Sequence, residues 1–275
     1  MFLFSTFRAQ ILVLGLAFVT TGVWAHDPIF GLGPHVLFKG GVEISPEFHL
    51  GKAGNKKSTE FGLNLTYGLT GDWAAGIELP YLRKENALGS ATGRGDLKLF
   101  TKYRFWRKDS LGVQESAAIA LKVKLDNADL GTTPALGSGS TDSILGLAYG
   151  YESRKWYRWA SLRYRRNGQN GQGLRRGDML RLDLVGGIRF TPTAYTKPDT
   201  VWLLELNGEF SRRDELNGTS LANTGGSEWF LSPGIFWTKR NFAIKAGVQI
   251  PIASDLNGVQ QKSDYRATIV FEWHL

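Results

Sequence analysis

Charged residues recur at every second position in several otherwise apolar segments of this chain. Lys122 and Lys124, for example, alternate with Leu121 and Val123. Alternate side chains of a β-strand point to opposite faces, so each segment predicts one charged face and one apolar face. If the strands form a barrel, the charged faces would line its interior, where a basic excess favours the passage of anions. The candidate lumen-lining residues are Lys98, Lys102, Arg104, Lys122, Lys124, Arg163, Arg165, Arg181, Arg189, Lys245, Arg266, Glu60, Glu78, Asp183, Glu205, Glu209 and Glu272.

The same charged residues also have a purely structural interpretation. Desolvating a lone ion is costly, so charges in a narrow interior must be paired or wet. A salt-bridged interior that only holds the barrel together is therefore an alternative to a solute path. A barrel of about twelve strands lies between the filled eight-stranded and the open sixteen-stranded cases, which predicts a restricted passage.

Four histidines are the candidate residues for an enzymatic or metal site: His26, His35, His49 and His274. None of them stands at a recognisable spacing from a serine nucleophile. Two histidines near a chain terminus are a weak metal set, and the chain has no cysteine for thiolate ligands or disulfides. We predict no catalytic, cofactor or metal site. A barrel enzyme that acts on envelope lipids through His49 or His274 is the alternative.

The first 25 residues predict export. Arg8 precedes an apolar run over residues 11–19, and Val23, Trp24 and Ala25 form a small-residue cleavage pattern. This order is typical of a cleaved signal peptide, and the apolar run is shorter than the roughly 20 residues of a membrane-spanning helix. We therefore predict a signal peptide over residues 1–25 and one outer-membrane β-barrel domain over residues 26–275.

Alternation of apolar and polar residues continues to the last residue and predicts about twelve strands, the even number typical of bacterial barrels. The first strand is predicted to begin at Val36, and the alternation is weakest over residues 143–151, 156–166 and 228–238, where aromatics fall on both faces. The predicted fold is a single antiparallel transmembrane β-barrel of the all-β class. Its expected longer, extracellular loops are residues 51–58, 84–92, 127–141, 167–177, 212–225 and 253–263. Its expected short, periplasmic turns are residues 69–71, 107–111, 153–155, 191–198 and 239–241.

A soluble β-sandwich or lipocalin-like barrel would also show alternation. Three features favour the membrane instead: the signal peptide, the alternating lengths of the connections, and aromatic residues near strand ends, such as Tyr67, Trp73, Tyr81 and Trp273. No plug domain is predicted before the first strand, which argues against an energy-coupled receptor and favours simple diffusion.

Several glycine-containing motifs occur in a characteristic order. They are Thr-Glu-Phe-Gly-Leu at residues 59–63, Ile-Glu-Leu-Pro-Tyr at 77–81, Gly-Arg-Gly-Asp-Leu at 93–97, Glu-Leu-Asn-Gly at 205–208 and Gly-Val-Gln-Ile-Pro at 247–251. Their order resembles the outer-membrane family labelled "putative MetA-pathway of phenol degradation". The resemblance implies a transporter-like barrel that passes small solutes, aromatic or other hydrophobic compounds among them.

The net charge of +8 bears on the partners. The basic residues are dispersed over strands and loops, so we predict no nucleic-acid partner. Basic residues of the outward loops would instead contact outer-membrane lipids, the phosphate-rich lipopolysaccharide above all. These loop residues are Lys52, Lys56, Lys57, Lys84, Arg94, Arg175 and Arg176. The barrel-assembly machinery would read the last strand, and the predicted location is the outer membrane of a Gram-negative bacterium. A non-conducting structural or adhesive barrel is the other alternative to a channel.

Overall fold

The computed structural model describes residues 27–193 and 196–275. The predicted signal peptide and His26 lie outside the described residues. In the described part of the chain no helix is long and apolar enough to cross a membrane.

The described residues form sixteen strands, twelve of which are ten residues or longer. The strands are β1 Val42–Ala53, β2 Lys56–Gly68, β3 Trp73–Asn86, β4 Gly89–Arg94, β5 Lys98–Ser110, β6 Val113–Lys124, β7 Asp142–Ser153, β8 Trp156–Arg166, β9 Leu174–Arg175, β10 Met179–Ile188, β11 Asp199–Ser211, β12 Glu215–Leu216, β13 Thr219–Ser220, β14 Gly226–Lys239, β15 Phe242–Leu256 and β16 Tyr265–His274.

The twelve long strands close into an antiparallel barrel. Each long strand pairs with the next one along the chain, and β1 pairs with β16, where Glu43 lies opposite His274. Closure leaves the barrel no unpaired edge, so every backbone group within a membrane can be satisfied by a neighbouring strand. The predicted twelve-stranded antiparallel barrel is confirmed.

The connections differ in length at the two ends of the barrel, which we call the short-turn end and the long-loop end. The short-turn end carries the connections that follow β2, β5, β7, β10 and β14, and the long-loop end carries those that follow β1, β3, β6, β8, β11 and β15. At the long-loop end β4 pairs with the end of β3, and β9, β12 and β13 form a separate small sheet.

Several predicted boundaries are wrong. The first strand begins at Val42 rather than Val36. The predicted loop over residues 51–58 is a hairpin of two long strands with a turn at Gly54 and Asn55, because its polar residues continue the β1–β2 ladder. In the same way β3 and β4 occupy most of residues 84–92, and β15 extends to Leu256.

The outer face of the barrel is apolar and carries two aromatic girdles, which are belts of aromatic side chains around the barrel. At the short-turn end these are Tyr67, Trp73, Tyr103, Tyr149, Trp156, Trp202 and Trp273, and towards the long-loop end they are Phe48, Phe61, Tyr81, Tyr164, Phe210 and Tyr265, all exposed. On β8, Trp156 and Tyr164 lie eight residues apart, which is about 20 Å along the barrel axis for a rise of about 3.3 Å and a tilt of about 40°. This spacing matches the apolar band of a membrane barrel bounded by aromatic girdles.

Candidate functional site

A segment that precedes the first strand lies inside the barrel. Residues 27–37, which we call the N-terminal segment, contact the inner faces of β5, β7, β8, β11, β14 and β15. No plug domain was predicted before the first strand. The N-terminal segment is not a domain, but its eleven residues occupy interior space, which the sequence did not predict.

Glu205 of β11 holds the N-terminal segment through its backbone. The carboxylate is fully buried and accepts hydrogen bonds from the backbone N–H groups of Ile29 at 2.7 Å, Phe30 at 3.2 Å and Gly31 at 3.1 Å. Asn207 donates a fourth hydrogen bond at 3.3 Å. A carboxylate with several donors and no basic partner is a recognition site for backbone N–H groups, so Glu205 acts as an anchor for the segment.

Glycines on the inner face make room for the segment. A Cβ atom on Gly146 would stand 2.6 Å from Leu32 Cδ2, and one on Gly150 would stand 2.8 Å from Pro34 Cγ. Gly234 is likewise covered by Ile29. Any larger side chain at these positions would occupy the space that the segment now fills.

Two ionisable residues of the segment are paired with the barrel wall. Lys102 Nζ lies 2.9 Å from Asp27 Oδ2, and His35 Nε2 lies 2.8 Å from Glu152 Oε1. His35 Nδ1 also lies 3.2 Å from Asp27 Oδ1. Burial alone would lower the pKa of His35, but the carboxylates of Glu152 and Asp27 raise it to about 9. Burial opposes ionisation of Asp27, yet Lys102 and His35 hold the pKa of that carboxyl well below its usual range.

Apolar residues fill the interior near the short-turn end. Tyr157, Trp159, Val201 and Phe236 belong to one buried cluster, and Ile29 of the N-terminal segment packs against it. Tyr157 and Trp159 stack with ring centroids 5.4 Å apart. These are the inward aromatics that made the alternation weak over residues 156–166 and 228–238. They face the N-terminal segment rather than water.

A cavity of about 1020 Å³ lies on the other side of the N-terminal segment and extends towards the long-loop end. Its lining includes twelve Lys and Arg residues but only seven Asp and Glu residues, so its wall is basic. Phe30 of the segment and Phe100 of β5 add two phenyl rings to the lining. The interior therefore combines an occupied short-turn half with a basic, water-accessible long-loop half.

The predicted lumen-lining residues all lie on the inner face, and ten of the seventeen line this cavity: Lys98, Lys102, Lys122, Arg163, Arg181, Lys245, Arg266, Glu60, Glu78 and Glu272. The other seven, Arg104, Lys124, Arg165, Arg189, Asp183, Glu205 and Glu209, lie elsewhere in the interior. These seven residues form contacts with the barrel wall, the loops or the N-terminal segment.

Every basic residue of the predicted set forms an ion pair. The pairs are Lys98 and Lys122 with Glu78, Lys102 with Asp27, Arg104 with Asp72, Lys124 with Asp96 and Asp142, Arg163 with Asp183, Arg165 with Asp142, Arg181 and Arg266 with Glu209, Arg189 with Asp199, and Lys245 with Glu272. Several carboxylates serve two cations, Glu78 and Glu209 among them, and Arg266 also lies 3.9 Å from Glu228. The salt-bridged interior and the basic wall thus coexist.

The three histidines within the described residues are engaged in structural contacts. His49 bridges Glu47 at 2.9 Å and Thr268 at 3.0 Å, and this bridge ties β1 to β16. Thr268 is 5% exposed, and both it and His49 line the cavity. His274 lies 2.8 Å from Glu43 across the same pair of strands. Among the described residues no three His, Asp or Glu side chains are placed to hold a metal ion.

The sequence did not predict that the N-terminal segment lies inside the barrel, nor which inner-face residues contact it. Two signals were available: residues 27–33 are rich in apolar residues without strand periodicity, and the middle inward positions of β7 carry the small residues Gly146, Ala148 and Gly150. Glu205 was assigned to the interior correctly, but its role as the anchor depends on a contact 176 residues distant in sequence.

Comparison with known proteins places the barrel among outer-membrane proteins. A family model described as "Putative MetA-pathway of phenol degradation" matches residues 78–255. An outer membrane channel from Pseudomonas putida F1 has a similar structure, with a TM-score of 0.68 and 16% identity over 91% of this chain and 100% of that one. The NanC porin follows with a TM-score of 0.51 and 12% identity over 85% of this chain and 100% of that one. No curated protein sequence matches the chain.

Proposed function

Because this chain belongs to the family described as "Putative MetA-pathway of phenol degradation", we propose that it is an outer-membrane channel for the passive or facilitated passage of small solutes. The observation that carries the proposal is the basic cavity of about 1020 Å³ on the long-loop side of the N-terminal segment. A cavity of this size can admit a small molecule, and its cationic excess lowers the energy of an anion relative to a cation.

The nature of the solute follows from the wall of the cavity. Lys98 and Lys122 both pair with Glu78, and the ammonium group of Lys122 lies 5.5 Å from the ring centroid of Phe100. A positive charge next to a phenyl ring suits a small acid with an aromatic or apolar body. Aromatic or other hydrophobic compounds, which the family description suggests, are therefore the preferred cargo within this proposal.

A second candidate function is a non-conducting barrel whose loops bind a partner. It is favoured by the N-terminal segment, which contacts six strands and packs against the apolar cluster at the short-turn end. The two candidates differ in whether the segment leaves or closes a path for solutes.

Planar-bilayer recording of the refolded mature protein, under a salt gradient, separates the two. We expect discrete conductance steps with a reversal potential that shows anion preference, because the cavity wall is basic. Lys98→Gln combined with Lys122→Gln should reduce this preference, whereas Lys239→Gln on the outer face should not. Channels without anion preference, or a folded protein without any conductance, would contradict the proposal, the latter in favour of the non-conducting barrel.

The outward loops extend the proposal to partners. Lys56 and Lys57 are exposed at the long-loop end, where phosphate groups of lipopolysaccharide would lie. The same recordings in bilayers with and without lipopolysaccharide test this contact, since binding should change the rate of channel insertion. Recognition of β16 by the barrel-assembly machinery and export by a cleaved signal peptide belong to the same proposal.

A further inference from the structure

The outer face of the barrel has a slot near its short-turn end. A cavity of about 410 Å³ is formed there by β8, β10 and β11. Its floor is the backbone at Gly186, where a Cβ atom would meet no other atom within 4 Å. Its walls are Trp156, Arg158, Trp202 and Leu204, and we call these five residues the Gly186 slot.

The pairing register of β8, β10 and β11 explains why the slot exists. Gly186 lies directly opposite Arg158 on β8 and Leu204 on β11, while Trp156 and Trp202 lie one step nearer the short-turn end. All are outward-facing positions, because their neighbours Tyr157, Val185 and Leu203 point inwards and are buried. A missing side chain in the middle of a row of large ones leaves a depression in the lipid-facing surface.

The walls of the slot are exposed to the membrane. Trp156 is 48% exposed, Trp202 is 53% exposed and Leu204 is 51% exposed. Both indoles belong to the aromatic girdle at the short-turn end. This girdle lies at the depth at which lipid head groups meet acyl chains. The slot therefore offers apolar walls to a lipid acyl chain and lies at the depth of the lipid phosphate groups.

The charge at the edge of the slot is positive. The Arg158 guanidinium stacks over the Tyr151 ring, 5.5 Å from its centroid, and Lys155 lies 5.9 Å from the centroid of Trp156. Arg154 adds a third cation in the same turn. The nearest acidic residue along the chain, Glu152, points inwards and pairs with His35. A cation on the membrane face is stabilised when an anion neutralises it, and the bidentate geometry of a guanidinium suits a phosphate.

From this arrangement we propose that the Gly186 slot binds one anionic phospholipid of the leaflet at the short-turn end. The phosphodiester accepts hydrogen bonds from Arg158, and one acyl chain lies over Gly186 beside Leu204, next to Ile188 and the indoles of Trp156 and Trp202 that flank Ile188. This lipid site is independent of the solute path, since it lies on the opposite face of the barrel wall.

Native mass spectrometry of the detergent-purified mature protein tests the site. The probe is palmitoyl-oleoyl phosphatidylglycerol, compared with phosphatidylethanolamine carrying the same acyl chains. The wild-type protein should bind one phosphatidylglycerol about tenfold more tightly than phosphatidylethanolamine, the difference expected of one charge-assisted interaction. Arg158→Gln should abolish this preference, and Arg158→Lys should keep part of it.

Gly186→Leu fills the slot and should weaken the binding of both lipids about tenfold. Two matched controls, Lys239→Gln for an outward cation at the same end and Ala246→Leu for an outward small residue on β15, should bind like the wild type. Heat-modifiable electrophoretic mobility verifies that each variant is folded. A preference for phosphatidylglycerol that survives Arg158→Gln would overturn the proposal and leave Arg158 as a side chain that merely reaches water. Lipid binding that is equal in Gly186→Leu and Ala246→Leu would overturn it as well.

Discussion

Single residues decide how the interior of this barrel is divided. Glu205 is the only carboxylate among the seventeen predicted lumen residues that receives three backbone N–H groups from another segment. The neighbouring Glu209 instead pairs with Arg181 and Arg266. One acidic side chain thus recognises the chain itself, while another stabilises the wall.

Replacing Glu205 with Gln should loosen the N-terminal segment. A Gln side chain has one oxygen for three N–H donors, and its own NH₂ group would face them, so at least one buried donor stays unsatisfied at about 1–3 kcal/mol. The chain has no cysteine, so Leu32→Cys reports on the segment alone through its rate of maleimide labelling. We expect labelling about tenfold faster in the Glu205→Gln background.

Glu60→Gln is the matched control, because Glu60 is another carboxylate that lines the cavity. It should leave the labelling rate unchanged. Equal acceleration by both substitutions would show that interior charge in general, rather than the anchor, controls the segment.

Because of His35, docking of the N-terminal segment should weaken at alkaline pH. Its pKa is raised from 6.5 to about 9, since the carboxylates of Glu152 and Asp27 outweigh the effect of burial. A raised pKa means that the charged imidazolium stabilises the docked state fully below pH 6.5, and this stabilisation is lost as the pH rises through about 9. The lowered pKa of Asp27 acts in the other direction, and its contribution is lost only in strong acid.

We therefore expect constant protection of Leu32→Cys from about pH 5 to 6.5, a progressive loss of protection above pH 6.5, and completion of that loss near pH 9. Rates are normalised to Leu111→Cys, a fully exposed turn position, which corrects for ionisation of the thiol itself. In His35→Gln the alkaline transition should disappear. Release at the same pH with and without His35 would assign the transition to another group.

At the scale of elements, the N-terminal segment and the inner glycines of β7 form a matched pair. Deletion of residues 27–37 should raise single-channel conductance, because the space near the short-turn end is no longer occupied. Gly146→Leu should do the same in the intact protein, since its side chain would overlap Leu32.

The two changes together separate a direct effect from damage to the barrel. If Gly146→Leu acts by expelling the segment, it adds nothing to the deletion. A further large change of conductance in the double variant would show that the substitution alters the wall itself.

The long strands could be predicted from the sequence because an apolar lipid-facing row and a polar inner row give a strict period of two. Strand ends could not, since above the membrane both faces of a hairpin meet water and alternation no longer marks where pairing stops. The hairpin at Gly54 shows this: its polar residues remain paired beyond the apolar band. The N-terminal segment escaped prediction because it has no period and is fixed by contacts far along the chain.

At the scale of the whole molecule, charge separates by location. The inner face carries ion-paired residues, with an excess of basic residues around the cavity. The outer face carries apolar side chains between the two aromatic girdles. Alternation of charged and apolar residues in the sequence predicts both faces. It could not predict which interior charges stay available, because the ion pairs depend on how side chains meet across strands, as between Lys245 of β15 and Glu272 of β16 or between Arg266 of β16 and Glu209 of β11.

The place where the N-terminal segment enters the barrel has a consequence for how it behaves over time. Phe38 to Gly41 connect it to β1 at the short-turn end, where Gly40 N–H donates to the Gly68 carbonyl. The segment can therefore dock and undock through that end without opening the strand seam. It behaves as a ligand covalently tethered to its own receptor, present at an effective concentration in the millimolar range for a short connection. A free peptide of the same sequence would displace it only at comparable concentrations, so occupancy is governed by the tether and not by how much protein the membrane contains.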